Sequence, residues 1–224
     1  MAPTYDAGRL TASGYLAVPP SGVGPGVLVL HAWWGLTPFM RELCDRLAAE
    51  GFVALAPDLF GGATAATVEE AQALAEGADS DQVRAAALEG LEALRAHPAV
   101  RGDGVAALGF SFGAAWALLL TTLEPAIGAA VVFYGTYPLD FAAARAAYLG
   151  HFAPGDPWEP DEAVAELEQV LRDAGREVTF HHYPGAAHWF FERDRPEHLP
   201  AAAELAWQRT VAFLRDRLAG GAGA

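Results

Sequence analysis

The sequence predicts an α/β fold, a mostly parallel central sheet with helices on both faces. Three observations carry that expectation. Short apolar runs alternate with amphipathic stretches along the whole chain, as where Val27-Leu28-Val29-Leu30 precedes the segment Pro38 to Glu50. Strands that alternate with helices join as parallel neighbours, because each helical crossover returns the chain to the same end of the sheet. The apolar runs are continuous rather than alternating, which suits strands covered on both faces. With 53% hydrophobic and 19% charged residues in 224, the chain suits one globular domain with a full core.

The elements follow in order. Gly14 to Val18 is an early strand, and Pro19 to Gly26 is a Pro/Gly loop before the strand Val27 to Leu30. Pro38 to Glu50 reads as a helix closed by Gly51, with Met40, Leu43, Cys44 and Leu47 on its apolar face. That periodicity places Cys44 in the core rather than at a reactive site. Phe52 to Ala56 is the next strand. Thr67 and Glu70 form a capping box that opens a helix, Gly77 to Ser80 breaks it, and a second helix runs to about His97. Val105 to Leu108 is a strand and Ala114 to Leu120 a helix. Gly128 to Tyr134 and Ala147 to Ala153 are further strands. Asp161 to Ala174 is a helix, with Asp161 as its N-cap and Gly175 as its end. Glu177 to Tyr183 is the last strand, and a final helix spans about Ala201 to Leu218. The tail 220–224 is expected to be disordered. No internal repeat and no second domain are evident.

Composition excludes several classes of function. The formal net charge of −14 argues against nucleic acid or an anionic membrane as partner. Every basic side chain is arginine, so Schiff-base chemistry and the P-loop lysine are absent. Cys44 is the single cysteine, so no internal disulfide forms. Met1 to Leu10 has neither a basic nor an apolar leader region, and a cytoplasmic location is expected. Gly104 to Leu123 carries no charge, yet its glycines divide it into a strand and a helix rather than a membrane span.

Gly109-Phe110-Ser111-Phe112-Gly113 is the most informative stretch. It joins a short buried strand to a helix. A serine on so sharp a turn is pushed out of the sheet, where a substrate can reach its hydroxyl. The turn crowds the backbone two residues to either side, and both flanks are glycine. Ser111 is therefore the candidate nucleophile.

A serine nucleophile needs a base, and the base needs an orienting acid. On an elbow of this kind the chain order is serine, acid, histidine. His188 lies in Pro184-Gly185-Ala186-Ala187-His188-Trp189-Phe190, directly after the last strand, and is the candidate base. Asp156 follows another strand through Pro154-Gly155 and is the candidate acid. Asp140 is its competitor at a different strand exit. The oxyanion hole is expected at two backbone N–H groups, those of Phe112 and of Trp33 in the loop after Leu30. Trp34, Tyr134, Trp158, Trp189 and Phe190, with Phe112, are expected to line an apolar, aromatic cleft that binds substrate.

At these residues the chain resembles the dienelactone hydrolase family of α/β-hydrolases. The likeness runs through His31-Ala32-Trp33-Trp34-Gly35-Leu36, Arg41-Glu42, Asp45 to Phe52, Ala56-Pro57-Asp58-Leu59-Phe60-Gly61, and Tyr183-Pro184-Gly185 to His188-Trp189-Phe190-Phe191. It covers about Tyr15 to Leu218. The resemblance implies a compact hydrolase without a large lid and without metal or organic cofactor. Its substrates would be small-molecule lactones or other carboxylic esters, and it would be a monomer or small homo-oligomer. Three departures qualify it. Ser111 stands where the founding enzymes have cysteine, Ala32 where they have the glutamate that partners the resting thiol, and Glu192 where an arginine holds the substrate carboxylate. The first two departures are chemically coherent together. The third implies that an anionic lactone is repelled, with Arg193 and Arg195 pointing elsewhere. The expected chemistry is ester hydrolysis through an acyl-enzyme. The alternatives are an acyltransferase, thioesterase or peptidase on the same residues, or a silent hydrolase fold used for binding.

Overall fold

The computed structural model describes residues 10–218 apart from Ala12, so the expected tail disorder at 220–224 lies outside the described residues. Its strands are β1 (Leu10–Thr11), β2 (Gly14–Ala17), β3 (Gly24–Leu30), β4 (Val53–Pro57), β5 (Val100–Phe110), β6 (Ile127–Phe133), β7 (Ala147–Phe152) and β8 (Val178–His182). Its helices are α1 (Pro38–Ala49), α2 (Val68–Gly77), α3 (Ser80–Ala96), α4 (Phe112–Leu123), α5 (Asp161–Asp173) and α6 (Pro200–Leu218). The strands form one sheet in the order β1-β2-β4-β3-β5-β6-β7-β8. β1, β2 and β4 pair antiparallel in sequence, and every pairing from β4 through β3 to β8 is parallel.

The continuous apolar runs explain why the sheet is covered on both sides. Along β3, Val27 and Val29 pack with α1 and α6, while Leu28 and Leu30 pack with α3 and α4. Side chains alternate between faces along a strand, so one apolar run feeds two cores. A third cluster joins β6 and β7 to α5 through Val132, Tyr148, Val164, Leu167 and Leu171. Cys44 sits fully buried in the α1 layer, and burial pushes its thiol pKa up, which suits an inert core residue.

Thr67 and Glu70 close the expected capping box at α2. Gly51 takes a φ of 99° just past α1. Asp161 differs from expectation: Pro160 holds the N-cap position of α5, and Asp161 is the first helical residue. Its carboxylate accepts the Gly155 N–H at 3.2 and 3.3 Å, drawn away from the helix by the turn before it. The uncharged stretch from Gly104 divides into β5 and α4, and among the described residues no helix is long and apolar enough to cross a membrane.

The strand order reverses direction between β3 and β5, since β4 flanks β3 on one side and β5 flanks it on the other. In open α/β sheets the crevice at the carboxyl ends of such a pair is where ligands sit. Ser111 leaves β5 at that end, beside the loop that leaves β3.

Candidate active site

Ser111 has φ 48° and ψ −112°, a conformation that costs a non-glycine residue about 1–3 kcal/mol. Its N–H donates to the Phe133 carbonyl at 2.9 Å, which pins the turn to β6. The two flanking glycines are steric necessities. A Cβ on Gly109 would lie 2.3 Å from the Gly113 oxygen, and one on Gly113 would lie 2.1 Å from the Leu30 oxygen. Both contacts are with backbone, which cannot step aside, so the strain at Ser111 is held from both sides.

The hydroxyl raised by this turn meets an imidazole. His188 Nε2 lies 2.9 Å from Ser111 Oγ, and His188 Nδ1 lies 2.6 Å from Asp156 Oδ2. The three residues come from the ends of β5, β7 and β8, 77 residues apart at the widest hydrogen bond. Asp156 is 4% exposed and His188 4% exposed, so their bond is shielded from water. The other oxygen of Asp156 accepts the N–H groups of Trp158 at 2.8 Å and Glu159 at 3.3 Å. This Asx-type turn fixes the carboxylate before it meets the ring. Asp140 takes no part: it is exposed, and its carboxylate caps the Ala142 N–H at 2.9 Å.

Two backbone N–H groups lie in the turns next to Ser111 and after β3. Phe112 begins α4, so its N–H has no helical acceptor, and the helix dipole favours negative charge there. Trp33 lies in the loop after β3, and among the described residues neither N–H donates to another backbone group. His31, not a candidate base, holds that loop. Its Nε2 accepts the Leu59 N–H at 3.0 Å, and its Nδ1 donates to the Ala32 carbonyl at 2.8 Å. Full burial lowers the pKa of His31 and keeps it neutral, the form in which both bonds are possible.

Four indoles gather beside the imidazole. Trp33 contacts Trp34, Trp158 and Trp189 at ring separations of 5.7, 5.1 and 5.8 Å, and Trp189 stands edge-on to His188 at 4.8 Å. Trp33, Phe112 and Trp158 keep exposed surface. Trp34, Tyr134, Trp189 and Phe190 are buried, and Phe190 packs on Tyr134 and Tyr183 beneath the site. The buried rings thus pack beneath the ones that keep exposed surface.

Glu192 does not face the crevice. It is 1% exposed and accepts the Tyr134 O–H at 2.8 Å. Burial pushes its carboxyl up to about 8, so it is mostly neutral at pH 7. The expectation that Glu192 repels an anionic lactone therefore fails: a neutral acid below Tyr134 repels nothing. The arginines nearby are occupied. Arg193 pairs with Glu42, and Arg195 lies 4.2 Å over the Trp34 ring while pairing with Asp194. A different carboxylate, Glu159, is not evident from its sequence context; it accepts the N–H and O–H of Thr136 at 3.0 and 2.5 Å. Its only local signal is a position three residues after Asp156; its partner lies 23 residues away.

The model of the dienelactone hydrolase family matches residues 12–218. A Bradyrhizobium sp. protein named "Probable 2-oxo-3-(5-oxofuran-2-ylidene)propanoate lactonase" is 32% identical over 223 residues, covering 92% of this chain and 90% of its own. "Protein usf" of Aquifex pyrophilus is 32% identical, covering 92% and 93%. A solved dienelactone hydrolase-like promiscuous phosphotriesterase from metagenomic libraries superposes with TM-score 0.82 at 26% identity, covering 91% of this chain and 92% of its own. With its eight-stranded, mostly parallel sheet and no large lid among the described residues, the chain belongs to the dienelactone hydrolase family.

Proposed function

We propose that the protein is a serine hydrolase that cleaves carboxylic esters or lactones through an acyl-enzyme. The observation that carries this reading is the unbroken series Asp156–His188–Ser111, with bonds of 2.6 and 2.9 Å, at a strained elbow. His188 takes the hydroxyl proton as Ser111 Oγ attacks the acyl carbonyl. Asp156 holds the imidazole tautomer with Nε2 free to accept, and it stabilises the imidazolium that forms. The N–H groups of Phe112 and Trp33 receive the oxyanion. The leaving alcohol departs with the proton from His188. Water then attacks the acyl-enzyme with His188 again as base, and the acid product leaves.

The lactonase name of the Bradyrhizobium relative supports cyclic esters as one substrate class. The exposed indoles of Trp33 and Trp158 support an apolar group beside the reacting carbonyl. The reading is tested with purified protein on p-nitrophenyl esters, an unsubstituted lactone, a thioester and an anilide, with water, alcohol and amine as competing acceptors. Faster turnover of the oxygen esters with water as acceptor is expected. Preferred turnover of the anilide or thioester, or acyl transfer to the added nucleophile, would replace the esterase reading. No turnover with any of them would leave a binding role.

A further inference from the structure

Glu159 is a carboxylate at the edge of the site with no part in the chemistry above. Its backbone N–H donates to Asp156 Oδ1 at 3.3 Å, and its own carboxylate accepts both donors of Thr136. Two donated bonds favour the ionised form. Burial raises its pKa overall and Asp156 adds to the rise, while the Thr136 bonds and His188 oppose it. His188 and Asp156 thus both lie within its electrostatic reach. Among the ion pairs of the described residues, none supplies Glu159 with a cation.

The surroundings sharpen the point. Trp158, the neighbour of Glu159, is 48% exposed and packs against Trp33. A substrate lying on that surface meets indole faces, which attract cations. Behind them stand two carboxylates, Asp156 and Glu159, with one imidazole to offset both. The chain contains no lysine. Arg193 and Arg195 are paired with Glu42 and Asp194.

We propose that Glu159 is the specificity-determining residue that makes the site favour neutral and cationic esters over esters carrying a carboxylate near the reacting carbonyl. This deepens the ester-hydrolase reading and rests on it for its kinetic half. In a partly buried site a like charge within several ångströms lowers the specificity constant about tenfold.

The test uses three p-nitrophenyl esters of matched length: the neutral pentanoate, the hydrogen glutarate and the 4-(trimethylammonio)butanoate. Their kcat/KM values are measured at low and high salt for the natural protein and for Glu159→Gln. In parallel, binding of phenyltrimethylammonium and benzoate is measured on Ser111→Ala with and without Glu159→Gln, which needs no turnover. The natural protein is expected to prefer the neutral ester to the glutarate by about tenfold, with added salt narrowing the gap. Glu159→Gln should bring the ratio near one and weaken phenyltrimethylammonium binding. Glu159→Asp should keep the preference, which guards against a glutamine variant that fails to fold. An unchanged glutarate-to-pentanoate ratio and unchanged ligand binding in Glu159→Gln would overturn the proposal. If no ester is turned over yet binding still shows the Glu159-dependent preference, the hydrolase reading falls and the charge role stands.

Discussion

His188 and His151 are both buried at the carboxyl-end side of the sheet, yet they have opposite surroundings. His188 faces a carboxylate through Nδ1 and a hydroxyl through Nε2. His151, on β7 and 0% exposed, faces two hydroxyls: Tyr183 at 2.7 Å and Thr210 at 3.0 Å. Burial, with the nearby His181 and Arg209, lowers the pKa of His151 well below the usual imidazole range. A ring held by neutral partners in a low-dielectric interior stays neutral, because nothing there offsets an imidazolium. A ring beside Asp156 can take a proton and give it back. The two buried acids repeat the contrast. Asp156 meets an imidazole and two N–H groups, whereas Glu192 meets a phenol and is mostly uncharged at pH 7. Burial therefore does not separate the proposed reacting groups from the inert ones; the partner each ring or carboxyl meets does.

The largest effect expected from breaking this contrast is on turnover. His188→Ala should lower kcat on a neutral p-nitrophenyl ester by about 10⁶-fold. His151→Leu should leave kcat per folded molecule within a few-fold. Comparable losses in both variants, with circular dichroism showing both folded, would remove the distinction between the two rings.

Next in size is the acid. Asp156→Asn should cost about 10⁴-fold in kcat, because the amide favours the wrong imidazole tautomer. Asp140 is solvent-exposed and bonded only to the Ala142 N–H, so Asp140→Asn should change little. The opposite ranking would move the acid to Asp140.

Much of this was legible in the sequence, for local reasons. The elbow shows because two glycines must flank it, and His188 and Asp156 show because each follows a strand through a glycine-containing turn. What was illegible depends on distant partners. Glu192 reads as a charge until Tyr134, 58 residues away, is placed over it. Asp161 has the composition of an N-cap, but Gly155 offers it a competing donor. β3 begins at Gly24, inside the expected loop, because it pairs there with Val100 of β5; the polar start of β5 likewise gains its place from that neighbour.

Smaller effects concern stability. His151→Leu removes one bond from each of the Tyr183 and Thr210 hydroxyls, a cost of about 1–3 kcal/mol in denaturant unfolding. The pH dependence follows from the same neutral groups. The unfolded His151 takes up a proton below pH 6.5 while the folded ring resists it, so its contribution is present above pH 6.5 and is lost as pH falls. Glu192 has the opposite sign. Its folded carboxyl titrates at about 8 and its unfolded one at 4.5, so the folded state holds the extra proton between those values and stability falls as pH rises through them. The melting-temperature difference between the natural protein and Glu192→Gln should move in favour of the variant from pH 6 to pH 9. A constant difference would show that Glu192 is not held neutral.

In the proposed chemistry Ser111 is a nucleophile activated by His188. A fluorophosphonate probe read by peptide mass spectrometry tests that directly. The expected result is one stoichiometric adduct, on Ser111, that is lost in His188→Ala and retained in His151→Leu. An unlabelled Ser111 in a protein that still hydrolyses esters, or an adduct on another residue, would contradict it.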